Sequence, residues 1–213
     1  GNNSAHSWRF RLIENMDRYN DVSLRHNNQK MIDDIIRNRR AVFPAQYIDK
    51  EIPQAELEQI LENANWAPTH KKTQPWRFKI YRGAALARLG DFLADWYKAN
   101  TPTDQFKEIK YNKTKNKARQ SACMIAICME PDPSLPEWEE VAATACAVQN
   151  MWLSCTARNI GCYWSSPKSI HDFGDFHDLA GGERCLGFFY MGYSDEEPVD
   201  AVRKPISDKV EWL

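Results

Sequence analysis

The run Ala122–Met129, ACMIAICM, decides the architecture of this chain. It is continuously apolar, follows the polar Arg119-Gln120-Ser121, and is bounded downstream by Pro131 and Pro133. So short a run between such breakers predicts a β-strand covered on both faces. It is the longest apolar run in the chain and falls far short of the roughly 20 residues a membrane helix needs.

Working outward, Trp76, Phe78 and Ile80 alternate with Arg77, Lys79 and Tyr81, the period of a strand buried on one face. Before it, Pro53 opens a helix whose stripe is Leu57, Ile60, Leu61 and Ala64 and which Pro68 stops. Met31, Ile32, Ile35 and Ile36 predict an earlier short helix that ends at Arg39 and Arg40. Leu86, Leu89, Leu93, Trp96 and Tyr97 predict another. After the central run, Ser134 and Glu137 stand at capping-box spacing and start a long helix to about Asn159, kept slim by Ala142, Ala145 and Ala147. Cys185–Tyr193 is a last strand, and an irregular tail follows from Asp195. Trp8, Phe10 and Leu12 alternate with arginines, as an extra strand or arm would. Helices and strands alternate without the rhythm of a doubly wound sheet, which places the chain in the α+β or mixed α/β class.

The chain has 213 residues, 43% of them hydrophobic and 27% charged, the composition of one globular domain able to bury roughly 70 to 75% of its unfolded surface. A formal net charge of −1 gives no bulk attraction to nucleic acid or anionic lipid. The six cysteines form no C-x-x-C pair and read as small buried hydrophobes in a reducing compartment. The opening GNNSAHSWRF lacks a basic head with a long apolar segment, so a cytoplasmic location is expected. No G-x-G-x-x-G, P-loop, H-E-x-x-H or G-x-S-x-G occurs, and the scattered histidines offer no zinc spacing.

Four segments carry chemistry: Arg39-Arg40, Trp66-Ala67-Pro68-Thr69-His70 through Gln74-Pro75-Trp76, Trp164-Ser165-Ser166-Pro167, and Arg203-Lys204-Pro205. Arginine forks bind phosphate oxygens bidentately, each hydrogen bond to a charged group contributing roughly 1.5 to 3 kcal/mol. Two such arginines fall short of the about 8 kcal/mol that micromolar affinity requires, so an aromatic ring surface must add the rest.

IIRNRRAVF, IPQAELEQILENANWAP, THKKTQPWRFKIY, GCYWSSP, LGFFYMGY and RKPISDKVEW, in this order, make the chain resemble the FMN-dependent nitroreductase family from about Met31 to Leu213. The resemblance implies a homodimer whose central mixed or antiparallel sheet is flanked by helices, with FMN at the subunit interface. It divides the chain into an N-terminal extension, 1–30, and an FMN-binding domain, 31–213. It assigns the flavin phosphate to Arg39, Arg40 and Arg203, brings Trp66 and His70 to the partner's flavin, and lays Trp164, Ser165 and Ser166 along the isoalloxazine. Ala41 stands where the family usually has Ser, so one hydroxyl contact is missing. The implied activity is that of an NAD(P)H oxidoreductase passing hydride through flavin N5 to a nitroaromatic, quinone or activated alkene; no catalytic acid or base is demanded. A non-catalytic flavin-binding or interaction protein on the same fold is the alternative.

Each segment also has a plainer reading. Paired arginines at a helix end suit the helix dipole, His70 is an ordinary polar loop residue, and Trp76 is core packing. The stretch Lys98–Arg119 has seven basic and two acidic residues, with Lys107, Lys110, Lys113 and Lys117 along one helical face. Its aromatic spacing fits no nucleic-acid module, so a solvated helix or a loop over the flavin is expected in preference to RNA or DNA binding.

Overall fold

The computed structural model describes residues 22–197 and 199–213, with the side chains of 22–26 left aside; the Trp8/Phe10/Leu12 strand expectation lies outside the described residues. The chain divides into two compact units, Gly1–Arg39 and Arg40–Leu213. In the first, α1 (Val22–Asn38) begins well before the predicted Met31 and runs almost to Arg39, whose N–H donates to the Ile35 carbonyl at 3.1 Å.

The second unit holds α2 (Gln54–Asn65), β1 (Trp76–Tyr81), α3 (Ala84–Ala99), α4 (Glu108–Arg119), β2 (Cys123–Met129), α5 (Glu137–Thr156), β3 (Ile160–Ser165) and β4 (Arg184–Tyr193). The four described strands form one sheet in the order β1-β2-β4-β3, every neighbour antiparallel. The fold is therefore α+β, with an antiparallel sheet flanked by helices.

β2 is buried along its whole length, as its apolar run requires. Ile125 and Ile127 face a core completed by Leu57 and Ile60 of α2, Ala147 and Met151 of α5, and Trp76, which packs there as a 7% exposed side chain. Met124, Ala126 and Cys128 alternate to the other face, against Leu86, Leu89 and Leu93 of α3 and Phe173. β3 escapes the sequence pattern because Gly161 interrupts it and the preceding Arg158-Asn159 reads as a continuing helix. In fact α5 ends at Thr156, and Asn159 takes the left-handed φ of 55° that asparagine tolerates and that turns the chain into β3. Ser134 does not cap α5. The N-cap is Pro136, whose fixed φ of −60° sets the entry, while Glu137, Glu139 and Glu140 complement the dipole in the first turn. Five cysteines are buried as expected; Cys146 is exposed, on the slim face of α5 with Ala142.

A strap at 42–48 closes the far edge. The Val42 N–H donates to the Cys162 carbonyl at 3.1 Å and the Ile48 N–H to the Tyr193 carbonyl at 2.8 Å. Gly192 allows this approach, since a Cβ there would stand 2.6 Å from the Tyr47 ring.

Asp91 ties α3 to α4, accepting from Lys115 at 3.0 Å and Arg119 at 2.9 Å. The Lys115 ammonium, joined by the Arg119 guanidinium, holds the Asp91 carboxyl below its usual range. A depressed folded-state pKa gives stability that is present above the unfolded pKa and lost as pH falls through the folded one. The side chain is 42% exposed, so screening keeps the effect small. Asp91→Asn is expected to cost under about 1 kcal/mol at neutral pH and nothing once the native carboxyl is protonated; urea unfolding of both proteins at pH 7 and pH 2 checks it.

Candidate functional site

A cavity of ≈ 650 Å³ opens at the C-terminal end of β3. Ser165 and Pro167 form one side; Tyr190 of β4 forms its floor; Thr114 and Lys117 of α4 and Trp96 of α3 continue the wall. The local sequence explains the placement. Ser165 is the last paired residue of β3, opposite Phe188, and Pro167 ends the strand in extended backbone.

Behind Tyr190 the aromatic side chains are layered. Tyr163 stacks on Tyr190 with centroids 4.9 Å apart, and Phe43 of the strap packs on Tyr163 at 4.8 Å. The Tyr163 hydroxyl is buried near those of Tyr190 and Ser165 but makes no hydrogen bond of proper geometry. Burial pushes both phenols up, so both stay protonated donors. The Lys117 ammonium sits 5.8 Å from the centroid of the Tyr163 ring, and burial, with the nearby Lys113, lowers its pKa. The partly desolvated Lys117 ammonium lines the cavity and can be satisfied there by a planar ligand rich in carbonyl and ring-nitrogen acceptors, whereas the buried Tyr163 hydroxyl lies outside its wall.

The predicted residues are distributed as follows. Ser165 lines the cavity; Trp164 and Ser166, its neighbours, do not. The Trp164 indole instead donates to the Leu186 carbonyl at 3.3 Å and lies over Gly187, where a Cβ would fall 2.1 Å from its nitrogen. The indole thus locks the register from which Ser165 projects. Arg40 is half-buried, donates through Nε to the Val199 carbonyl at 2.9 Å, and accepts the Trp152 indole N–H on its own carbonyl at 3.0 Å. Ala41 is exposed. Arg203 is exposed in the tail and donates to the Val202 carbonyl at 2.9 Å; neither Arg40 nor Arg203 lines the cavity of its own chain. Arg39 belongs to the first unit.

Trp66 caps the end of α2, 78% exposed, with its indole donating to Glu62 at 2.8 Å. His70 contacts Glu139 of α5 through Nδ1. The segment after it is strained, with positive φ at Lys71, Lys72 and Gln74. A relay holds it: the Gln74 N–H donates to the Thr69 hydroxyl at 3.1 Å, Thr69 to Thr73 at 3.0 Å, and Thr73 to the fully buried Glu140 at 2.8 Å. Because the Thr73 hydrogen goes to the carboxylate, the direction of the whole chain is fixed.

Sequence reasoning missed Lys117, Thr114, Tyr190 and Trp96 as wall residues. For Lys117 and Thr114 the signal was the 110, 114, 117 spacing inside the basic stretch, which reads as a solvated face until α4 is seen lying against Tyr163; Trp96 and Tyr190 read as the inner face of a helix and as part of a strand. Among the described residues no cluster of His, Cys, Asp or Glu is arranged for a metal, and no helix is long and apolar enough to cross a membrane.

An α+β sheet protein with a lysine-lined aromatic cavity at one strand end is the class these features define. Comparison with known proteins specifies it further. The Nitroreductase family model matches residues 36–193. The chain is 30% identical over 188 residues to the Bacillus subtilis (strain 168) protein named "Putative NAD(P)H nitroreductase YfhC", covering 86% of this chain and 94% of that one. The structure of a nitroreductase-like family protein from Bacillus cereus superposes with a TM-score of 0.73 at 29% identity, covering 85% of this chain and 95% of the other. The FMN-dependent nitroreductase NfnB from Mycobacterium smegmatis, crystallised with NADPH, shares the fold with a TM-score of 0.69 at 17% identity over 87% and 99% of the two chains. The chain belongs to the nitroreductase family.

Proposed function

We propose that this protein is an FMN-dependent NAD(P)H oxidoreductase, and that residues 31–213 form its flavin-binding domain. The observation that carries the reading is the cavity beside Ser165, walled by the aromatic Trp96, Tyr97 and Tyr190 and by the partly desolvated Lys117. Bound there, the flavin supplies the redox chemistry, taking hydride from a nicotinamide and delivering it to a nitroaromatic, quinone or activated alkene.

The protein's part is binding and orientation. Lys117 offers positive charge to ring oxygens, Ser165 and Ser166 offer backbone at the strand end, and Trp164 anchors that strand against β4. Arg39, Arg40 and Arg203 hold the phosphate; Ala41 adds no hydroxyl. Trp66 and His70 lie outside the cavity of their own chain, which supports their service to a second subunit. So do the exposed Trp138, at 70%, and Trp212, at 93%, apolar surfaces that a homodimer would cover. Six unpaired thiols support a reducing compartment, the cytoplasm.

Anaerobic mixing of the FMN-loaded protein with NADH and with NADPH tests the reading. Bleaching of the flavin band by at least one donor is expected; a flavin inert to both supports the non-catalytic alternative. Arg39→Ala and Arg203→Ala are each expected to weaken FMN affinity about tenfold or more, the loss of one charged hydrogen bond. Fluorescence titration measures it, and unchanged affinity in both removes the phosphate clamp.

A further inference from the structure

The same cavity carries more positive charge than a flavin ring needs. Lys110, Thr114 and Lys117 line it together, the i, i+4, i+7 positions of one face of α4, so Lys110 lies roughly 10 Å along the helix from Lys117. Lys168, just after Pro167, is a third lysine in the wall, and no Asp or Glu lines the cavity.

None of these three ammonium groups has an ion-pair partner among the described residues. Neither Asp172 nor Asp95 forms an ion pair with them. Asp172 accepts the Trp96 indole N–H at 2.7 Å, and Asp95 accepts the Tyr111 hydroxyl at 2.8 Å. Lys110 rests instead 4.5 Å from the centroid of the Tyr97 ring, a cation held on an aromatic face at the cavity wall. With Lys117 beside the stacked tyrosines, Lys110 and Lys168 are left for whatever enters next, and Trp96 and Tyr97 give it flat apolar surface.

We propose that the electron acceptor of this site is an aromatic or conjugated compound bearing a carboxylate or similar anionic group, which Lys110 and Lys168 recognise. The inference rests on the flavin reading above and adds the substrate class to it. A phosphate on the nicotinamide donor is the other source of the same chemistry, and the test separates the two.

The kinetic arm compares 4-nitrobenzoate, 4-nitrobenzyl alcohol and (4-nitrobenzyl)trimethylammonium. With the first, one NAD(P)H and one proton reduce the nitro group to nitroso, giving 4-nitrosobenzoate, NAD(P)+ and water. The expected order of kcat/KM is anion, neutral, cation, with the anion at least about tenfold over the cation at low ionic strength and the gap closing in 0.5 M salt. Lys110→Gln and Lys168→Gln each lower the anion-to-neutral ratio about fivefold. A flat series with a normally reducible flavin overturns the proposal. So does a rise in KM for NADPH relative to NADH in the two variants with the nitro series unaltered, which gives the lysines to the donor.

The binding arm needs no turnover. Calorimetric titration of the FMN-loaded protein with benzoate, benzyl alcohol and benzylamine is expected to show benzoate tightest and weakened in both variants. Equal binding of the three refutes the anion preference. If neither nicotinamide bleaches the flavin, the oxidoreductase reading falls by itself while this titration still decides the preference for an anion.

Discussion

Gly187→Ala is expected to lower the unfolding midpoint by about 4–16 °C and to weaken flavin binding in the same protein. A Cβ at this position stands 2.1 Å from the Trp164 indole nitrogen and 2.7 Å from the Ser165 carbonyl oxygen, both far inside contact distance. Either the indole leaves its seat, losing its bond to the Leu186 carbonyl, or β3 moves off β4. Overpacking costs about 1–3 kcal/mol and a lost buried hydrogen bond roughly 1 more. At this chain length each kcal/mol moves the midpoint about 2–4 °C. The backbone φ of 153° adds to the cost, since side-chain-bearing residues rarely adopt it. Either relaxation displaces Ser165, so FMN affinity falls with stability. The second variant that proves the cause is Trp164→Ala in the Gly187→Ala background. Removing the indole opens room for the methyl, and the double variant is expected to lose less than the sum of the singles. Calorimetric midpoints that simply add refute the seat.

Glu140→Ala is expected to destabilise by about 3 kcal/mol, because its two oxygens are the acceptors for the Thr73 hydroxyl at 2.8 Å and the Asp132 N–H at 3.1 Å, and the site is fully buried. Each donor left unsatisfied costs about 1–3 kcal/mol, offset in part by relief of burying a charge. The relay through Thr73 and Thr69 to the Gln74 N–H then loses its fixed end. The left-handed backbones at Lys71, Lys72 and Gln74, which persist only because the surroundings hold them, relax. Hydrogen exchange at Gln74 is expected to accelerate more than exchange in β2. Glu140→Gln keeps an acceptor for Thr73 but sets an amide donor against the Asp132 N–H, so its loss is smaller. Equal exchange at Gln74 in all three proteins contradicts the relay.

Much of this fold is legible in the sequence because apolar period and burial coincide. The continuous run of β2 announces a strand with helices on both faces, and the stripe from Leu57 to Ala64 announces α2; the alternation of Trp76, Phe78 and Ile80 announces β1 but not its burial, since Ile80 is 38% exposed while Tyr81, on the opposite face, is buried in the second core. What escapes is set by contacts that no local pattern encodes. β3 contains Gly161 and follows a helix that stops only because Asn159 turns left-handed. The start of α5 is fixed by Pro136, although Ser134 and Glu137 imitate a capping box. For the candidate site, the Trp164–Ser166 stretch stands at the strand end beside the cavity, with only Ser165 lining it. Lys117 was visible as a charge and not as a wall residue, because a helix face of lysines looks solvated until a tyrosine is placed under it.

The central claim is that the cavity at the end of β3 seats one flavin against Lys117 and Ser165. Titration of flavin-free protein with FMN, followed by protein fluorescence at matched concentrations of wild type and Lys117→Ala, tests it most directly. The account predicts one FMN per chain for the wild type and an affinity at least about tenfold weaker for the variant. A wild-type chain that takes up no FMN, or a Lys117→Ala protein that binds it with undiminished affinity, contradicts it.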